Sequence, residues 1–322
     1  MEINQRNIKL LSTIGPRASF GLYALDLIKK YNELMILSCD VSTSAGLDRY
    51  RKQHKDNYLE LGISEQNMIG VATGLARENY KVITTTFAPF QTMRCCEQIK
   101  VNLGYMKEKV TMVGLASGLV LGNLGFTHCC IEDVGVLRSI PNITIISPAD
   151  SLETIKAIEA SISHSQSCYI RLTGGSNNSI VYDKDYDFKI GKAIKLINGD
   201  DITIFSTGAT VATSIKISKA LKEKKINASV INLHTIKPID KESVLSNSLN
   251  SKLIVTLEEH NIIGGLGSAV LEALAFEKNT PRKLIFGIND NYVKSGSYNF
   301  LKRQYKLDEN HIIEKIVQEL NE

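Results

Sequence analysis

The order of hydrophobic and polar positions predicts two successive α/β units. In the first half of the chain, short runs of β-branched and other apolar residues alternate with stretches whose apolar positions recur at helical spacing. That alternation is typical of a parallel sheet covered by helices on both faces. We predict strands in this unit at residues 35–39, 81–86, 109–115, 143–147 and 168–172.

A helix between the last two of these strands has clear signals. Leu152, Ile155, Ile158 and Ile162 recur at intervals of three and four residues, as on one face of an α-helix. Asp150 stands where a side-chain cap of the first turn is expected. The pattern therefore predicts a capped helix that begins directly after Asp150.

The second half of the chain repeats the alternation after a small, polar stretch. Apolar pairs four residues apart follow Gly208, and a glycine-rich turn at residues 264–268 opens another apolar stretch, so each predicts a helix. The fold class is therefore α/β, with two doubly wound domains at residues 1–175 and 191–322 and a linker at residues 176–190. The strands predicted in the second domain are residues 201–207, 227–233, 252–257 and 281–286.

Composition and charge argue against several classes of function. The chain has 322 residues, of which 43% are hydrophobic and 22% are charged, as in ordinary globular proteins. Its net charge of +4 is too small to indicate binding to nucleic acid or to a membrane surface, and no apolar run is long enough to span a bilayer. Six cysteines without a Cys-x-x-Cys spacing indicate reduced thiols, so we expect a cytoplasmic protein without a zinc site.

The most informative segment is residues 61–70, with the sequence LGISEQNMIG. It places Glu65 in the first turn of a helix whose next residues are mostly apolar, so the helix is expected to be buried and Ser64 to cap it. A buried carboxylate is costly unless a donor hydrogen-bonds to it. For an isolated glutamate, stabilisation by the helix dipole would be the simplest interpretation.

The whole segment, however, resembles the glutamate motif of the transketolase family of thiamine-diphosphate enzymes. Phrases of the second half resemble the C-terminal domain of the same family, and the resemblance covers nearly the whole chain. It implies a domain that binds the pyrimidine of the cofactor, followed by a transketolase C-terminal domain. The phrases are STGA at residues 206–209, INLHTIKPID at residues 231–240 and EEHNIIGGLGSAV at residues 258–270.

Half of the cofactor site that this resemblance implies is missing from the chain. In the family, a Gly-Asp-Gly motif and a downstream asparagine hold a divalent cation on a separate N-terminal domain. The nearest match here, Gly199-Asp200-Asp201 with Asn227, lacks the second glycine and precedes a predicted strand instead of following one. The resemblance therefore implies no metal site in this chain and a partner, an N-terminal transketolase subunit, that holds the diphosphate and Mg²⁺ or another divalent cation. It also implies an α2β2 heterotetramer and a chain that is inactive alone.

Five residues are implied to contact the cofactor. By resemblance, Glu65 is the catalytic carboxyl that hydrogen-bonds to N1′ of the aminopyrimidine, and Asp40 lies near the cofactor at the subunit interface. Phe87 and Phe90 match aromatic positions that form an apolar pocket for the pyrimidine, with Met93 in place of a third aromatic residue. The alternative for the two phenylalanines is an ordinary place in the core at a strand end.

Four further residues are implied to contact a sugar substrate. Arg17, Ser44 and Arg171 match residues that bind a sugar phosphate, and His128 matches a histidine that contacts the bound ketose. A guanidinium is planar, permanently charged and able to bind an anion through two hydrogen bonds. Either arginine alone could equally form a surface salt bridge, but together they favour an anionic substrate.

Two positions depart from the family pattern. Ala116 stands where most transketolases have a substrate-binding histidine, and Leu124 stands where they have an aspartate that recognises a hydroxyl of the donor. Because a site built to bind a hydroxyl discriminates strongly, the change to leucine predicts a sugar donor other than the usual pentose phosphates.

The leading interpretation is the C-terminal subunit of a split transketolase that transfers a two-carbon ketol unit. The β subunit of a 2-oxo-acid dehydrogenase shares the same two domains and is the nearest enzymatic alternative. A fragment of a deoxyxylulose-phosphate synthase is less well supported, because that enzyme is normally one chain. A non-catalytic scaffold subunit is the alternative from a different class, which Ala116 and Leu124 permit but Glu65 and His128 argue against.

Overall fold

The computed structural model describes residues 1–322, which form two β-sheets with helices packed on their faces. The strands are β1 (Leu34–Ser38), β2 (Tyr58–Glu60), β3 (Lys81–Phe87), β4 (Val110–Leu115), β5 (Ile143–Ile146), β6 (Ser167–Arg171), β7 (Ile194–Ile197), β8 (Ile202–Ser206), β9 (Ala228–Asn232), β10 (Thr235–Lys237), β11 (Leu253–Asn261) and β12 (Arg282–Ile288).

Twelve α-helices cover the sheets, and none is both long and apolar enough to cross a membrane. Two 3-10 turns at Lys55–Asn57 and Gly122–Leu124 and a π-helical segment at Ile99–Tyr105 complete the helical structure. The helices are α1 (Gln5–Lys30), α2 (Asp48–Gln53), α3 (Glu65–Arg77), α4 (Ala88–Gln91), α5 (Cys96–Gln98), α6 (Asp133–Arg138), α7 (Ser151–Ile162), α8 (Thr210–Glu223), α9 (Lys241–Ser248), α10 (Leu266–Leu274), α11 (Tyr298–Gln304) and α12 (Glu309–Asn321).

The first sheet has seven strands in the order β10-β5-β6-β4-β3-β1-β2. All its neighbouring strands are parallel except the pair β10 and β5. The five strands predicted in the first half of the sequence correspond to β1, β3, β4, β5 and β6, and their residues are almost completely buried, as expected of a sheet covered on both faces. The predicted α/β class is confirmed.

The second sheet has five strands in the order β12-β11-β8-β9-β7, again parallel except at one edge, where β7 is antiparallel to β9. The predicted strands of the second half are β8, β9, β11 and β12. Three strands that the sequence analysis missed, β2, β7 and β10, have only three or four residues each and lie at sheet edges. Such short edge strands carry too few buried positions to give a periodic signal.

The two halves of the chain are joined by strand β10. Although β10 follows the second unit in sequence, it pairs antiparallel with β5 at the edge of the first sheet, where Thr235 lies opposite Ile146. The C-terminal half therefore completes the sheet of the N-terminal half. The two units are connected by main-chain hydrogen bonds as well as by the linker.

Helix α1 bends where Gly15 adopts a left-handed backbone conformation (φ 81°) directly before Pro16. A Cβ at Gly15 would lie 2.7 Å from the carbonyl oxygen of Gly175, so the bend lets the chain after β6 approach the helix closely. Further along, the same helix approaches the loop after β1, and a Cβ at Gly21 would lie 2.2 Å from the backbone of Gly46. These two contacts fix the position of Arg17.

The helix signals around α7 and α3 had different outcomes. Asp150 caps α7 as predicted, because its side chain accepts a hydrogen bond from the backbone N–H of Glu153 at 2.8 Å. Ser64 occupies the N-cap position of α3, but its hydroxyl donates to the carbonyl of Leu61 at 2.7 Å, so the predicted side-chain cap is wrong. The expected burial of α3 is only partial, since Gly70 and Gly74 lie on an exposed face with open space above them.

The close approach of α1 to the loop after β1 gives a stability prediction. Gly21→Ala should lower the free energy of unfolding by about 1–3 kcal/mol, because the added methyl group collides with main chain that cannot move aside easily. Gly74→Ala is the control: its Cβ meets no atom, so it should raise the free energy of unfolding by about 0.5–1 kcal/mol. Denaturant unfolding measures both, and equal midpoints for the two variants would contradict the predicted collision.

Candidate active site

Most of the predicted site residues lie at one edge of the first sheet. Asp40 follows β1, Glu65 begins α3 after β2, Phe87 ends β3 and Ala116 follows β4. These strands are parallel, so their carboxyl ends share an edge, which is where ligands bind in doubly wound sheets. The sheet thus brings together residues that are far apart in sequence.

The carboxylate of Glu65 is buried at the N-terminus of α3, with only 3% of the side chain exposed. One oxygen, Oε2, accepts a hydrogen bond from the guanidinium of Arg94 at 2.7 Å. The other oxygen, Oε1, has no donor within the protein. A pocket lined by residues 63–67 and Arg94 opens at this point of the surface. Glu65 therefore retains one unused acceptor next to an accessible pocket.

An aromatic cluster lies at the end of β3 and the start of α4. The rings of Phe87 and Phe90 are 6.4 Å apart and nearly perpendicular, and the ring of His128 lies 5.9 Å from Phe87 and 5.4 Å from Phe90. Both phenylalanines are half-buried, and Met93 in the following turn is exposed. The cluster therefore presents apolar surface at the molecular boundary instead of filling the core.

Arg94, which the sequence analysis did not single out, connects the carboxylate to this cluster. Its guanidinium carbon lies 4.0 Å from the centroid of the Phe90 ring while it donates to Glu65. The main-chain carbonyl of Arg94 accepts a hydrogen bond from the side chain of Gln66 at 3.1 Å, which ties this turn to α3. No local sequence pattern announces the contact, because Arg94 and Glu65 are 29 residues apart.

The thiols behind this site are not ionised. Cys39 and Cys95 are buried free cysteines, and burial raises the pKa of Cys39 to about 11 and that of Cys95 to about 12. The charge of the Glu65 carboxylate also acts to raise both pKa values. Neither thiol is therefore a ready nucleophile at neutral pH.

His128 belongs to a loop that the C-terminal half holds in place. Its Nδ1 lies 3.0 Å from the hydroxyl of Thr127, and the side chain is half-buried. Glu259, at the end of β11, accepts hydrogen bonds from the backbone N–H of Leu119 at 2.7 Å and from the hydroxyl of Tyr298 at 2.5 Å. Burial raises the pKa of Glu259. The sequence analysis quoted the phrase that contains Glu259 but assigned it no role.

The two positions that depart from the family pattern border this loop. Ala116 is fully buried and has a left-handed backbone (φ 54°), an uncommon conformation for a residue with a Cβ. Leu124 ends a 3-10 turn and is 51% exposed. The leucine side chain is therefore accessible from solvent, whereas that of Ala116 is not.

Arg17 and Ser44 lie near each other in the fold, on elements that approach at Gly21 and Gly46. Both are half-buried and neither side chain forms a hydrogen bond within the protein. Burial lowers the pKa of Arg17, and no carboxylate forms an ion pair with it. Asp40, by contrast, is exposed and has a left-handed backbone (φ 55°), and its N–H donates to the side chain of Glu60 at 2.7 Å.

Arg171 is not brought to the accessible part of the site. Only 1% of its side chain is exposed, and its Nε lies 2.9 Å from the carboxylate of Asp133. Its Nη2 donates to the carbonyls of Cys130 and Glu259 at 3.2 and 2.8 Å. Burial alone would raise the pKa of Asp133, but the Arg171 charge lowers it below its usual range. Arg171 thus has an internal structural role, and its contact with a substrate stays a prediction.

Fold and site together define an α/β protein with a ligand site at the carboxyl edge of a parallel sheet. Comparison with known families gives the class more narrowly. Residues 13–177 match the family "Transketolase, pyrimidine binding domain", and residues 191–312 match "Transketolase, C-terminal domain".

The chain is also similar to individual proteins over almost its full length. It is 34% identical to a "Putative transketolase C-terminal section" of Methanocaldococcus jannaschii, covering 95% of this chain and 96% of the relative. It is 33% identical to an apulose-4-phosphate transketolase subunit of Phocaeicola vulgatus, covering 93% and 95%. A solved structure described as "Split gene transketolase, inactive beta4 tetramer" matches with a TM-score of 0.86 and 30% identity, covering 95% and 98%. The chain belongs to the transketolase family.

The buried pair of Arg171 and Asp133 gives a prediction that separates a structural from a substrate-binding role. Arg171→Met should lower the free energy of unfolding by about 3–5 kcal/mol, because it leaves Asp133 as an unpaired buried charge. Chemical denaturation measures the loss. Arg77→Met removes an exposed arginine whose pair with Glu108 is long, at 3.7 Å, and should change stability by less than about 0.5 kcal/mol. An Arg171→Met protein as stable as the unchanged chain would show that the buried network is not structural.

Proposed function

We propose that this chain is the C-terminal subunit of a two-chain transketolase-like enzyme that depends on thiamine diphosphate. It would transfer a two-carbon ketol unit from an anionic ketose to an aldehyde acceptor. The observation that carries the proposal is the buried Glu65 carboxylate, with one free oxygen, beside the half-exposed rings of Phe87 and Phe90.

The residues at this edge fit an aminopyrimidine. A flat heteroaromatic ring needs apolar faces and a partner for its ring nitrogen. Phe87, Phe90 and Met93 would cover the ring and keep water away, and Glu65 would hold a proton at the ring nitrogen N1′. When bound, thiamine diphosphate supplies the carbon nucleophile that accepts the ketol unit. Asp40, exposed at the end of β1, is proposed to lie near the cofactor at the subunit interface.

The substrate would be bound by the side chains that lack partners within the chain. Arg17 is a half-buried cation without a carboxylate, a state that an anionic group of a substrate would relieve. Ser44 has a free hydroxyl close to the same helix, and His128 presents its ring beside Phe90. We propose that Arg17 and Ser44 bind the anionic end of the sugar and that His128 hydrogen-bonds to the ketose.

Activity is proposed to require an N-terminal partner subunit that holds the diphosphate and Mg²⁺, in an α2β2 assembly in the cytoplasm. Apolar side chains around the site, Ile63, Leu124 and Phe126, are exposed in the single chain. The face of α3 that carries Gly70 and Gly74 has room for another polypeptide. The similar split-gene structure is described as an inactive tetramer of its β chain, which supports a requirement for a second kind of subunit here.

The donor is proposed to be a sugar other than the usual pentose phosphates. Leu124 is accessible and offers no hydrogen bond to a donor hydroxyl, and Ala116 offers none either. A relative at 33% identity is named for apulose-4-phosphate, which is consistent with a divergent donor in this group of subunits. Leucine at position 124 would favour a donor that lacks a hydroxyl at the position that it faces.

Glu65→Gln tests the catalytic assignment. The substitution keeps the shape of the side chain but removes the charge that shares a proton with the ring nitrogen, so turnover should fall about 100-fold or more while assembly persists. Steady-state kinetics of the two-chain complex with thiamine diphosphate and Mg²⁺ measures the loss. Glu78→Gln, an exposed position at the other end of α3, is the matched control. Near-normal turnover of Glu65→Gln would refute the role, and reductive acylation of lipoamide would instead favour a 2-oxo-acid dehydrogenase.

Leu124→Asp tests the proposed donor specificity. Because Leu124 is exposed, the aspartate should be tolerated, and kcat/KM should shift by about tenfold or more towards donors that carry the additional hydroxyl. Competition between hydroxylated and deoxygenated ketose phosphates measures this preference. Leu249→Asp, at a similarly exposed leucine after α9, controls for the added charge. The same donor preference in both variants would count against a role for position 124.

A further inference from the structure

Arg94 fills the two contacts that the proposed cofactor needs. Its guanidinium donates to Oε2 of Glu65 at 2.7 Å and stacks on the ring of Phe90 with its carbon 4.0 Å from the ring centroid. The arginine side chain is 40% exposed, so it covers the buried carboxylate from the solvent side. It thus lies across the mouth of the pocket.

The chemistry of the two groups is alike. A guanidinium is planar, carries N–H donors in its plane and stacks on aromatic rings. A pyrimidine ring held at Glu65 would also be planar, share a proton with the carboxylate and stack on a phenylalanine. Both groups cannot occupy the same face of Phe90 and the same side of Glu65 at once.

We propose that Arg94 is a placeholder for the aminopyrimidine, which stabilises Glu65 in the unloaded chain and is displaced when the cofactor binds. The inference rests on the proposed function, since it assumes that the pyrimidine binds at Glu65. Arg94 is therefore a positioning residue, and not one that takes part in the reaction. Its exposure gives the displaced guanidinium access to water or to a partner subunit.

A placeholder has opposite effects on the free chain and on cofactor binding. Without Arg94, the unloaded chain contains a buried carboxylate with no donor, which lowers its stability. The loaded complex no longer uses this ion pair, so it loses less. By linkage, a change that destabilises only the unloaded state strengthens binding by the same factor. Removing Arg94 should therefore tighten cofactor binding.

The opposite role, in which Arg94 stays on Glu65 and orients it for the cofactor, makes the opposite prediction. In that case removal of the guanidinium would leave Glu65 less ordered in the loaded complex, and cofactor binding would weaken. The direction of the change in affinity therefore separates the two roles without reference to turnover.

The experiment is a titration of the two-chain complex with thiamine diphosphate at saturating Mg²⁺, followed by calorimetry. Arg94→Met should lower the Kd about tenfold, which corresponds to the loss of one charge-assisted hydrogen bond in the unloaded state. Arg94→Lys keeps the charge but not the planar stacking group, so its Kd should fall between the two. The Arg77→Met variant, on the same chain but away from the site, should bind as the unchanged complex does.

Two further measurements make the result unambiguous. In the Glu65→Gln background, Arg94→Met should change the Kd much less, because the competed ion pair is already absent. The free Arg94→Met chain should unfold at a lower temperature than the unchanged chain, and the difference should shrink in the loaded complex. An unchanged or higher Kd for both Arg94 variants would overturn the placeholder role while leaving the proposed function intact. If the unchanged complex does not bind thiamine diphosphate, the proposed function itself fails and the placeholder role falls with it.

Discussion

The site depends on one constraint: a carboxylate buried at the start of α3 must have a partner. Glu65 is 3% exposed, and an unpaired charge at that depth would destabilise the fold. Within the chain the partner is the guanidinium of Arg94, which leans on Phe90. The aromatic cluster and the open pocket follow from where β3 and α3 bring these side chains. Transketolase family membership gives this arrangement its chemical meaning.

The C-terminal half contributes to the site although it supplies none of the proposed cofactor contacts. Strand β10 completes the first sheet, and Glu259 holds the loop before His128 through the N–H of Leu119. Arg171 and Asp133 form a buried pair that also reaches the carbonyl of Glu259. These links explain in physical terms why the two units occur in one chain: separating them would expose the buried charges and release the loop.

The sequence predicted the long buried strands and the helices with clear caps, because each carries its signal in neighbouring residues. It did not predict β2, β7 or β10, whose pairing depends on distant partners, and it assigned Ser64 a capping bond that the hydroxyl makes elsewhere. Resemblance drew attention to Glu65, whereas Arg94 and Glu259 act through contacts 29 and 140 residues away in sequence. Only the folded chain reveals such contacts. Arg171 shows the converse: its residue type suggests an anion site, but the fold surrounds it with internal partners.

The central claim is that the carboxylate of Glu65 binds the ring nitrogen of the cofactor's pyrimidine. The most direct measurement is a crystal structure of the chain in complex with its N-terminal partner, thiamine diphosphate and Mg²⁺. The account predicts a distance of about 2.6–3.2 Å between a Glu65 carboxylate oxygen and N1′ of the pyrimidine. A bound cofactor whose pyrimidine lies away from Glu65, with the partner subunit present, would contradict the account.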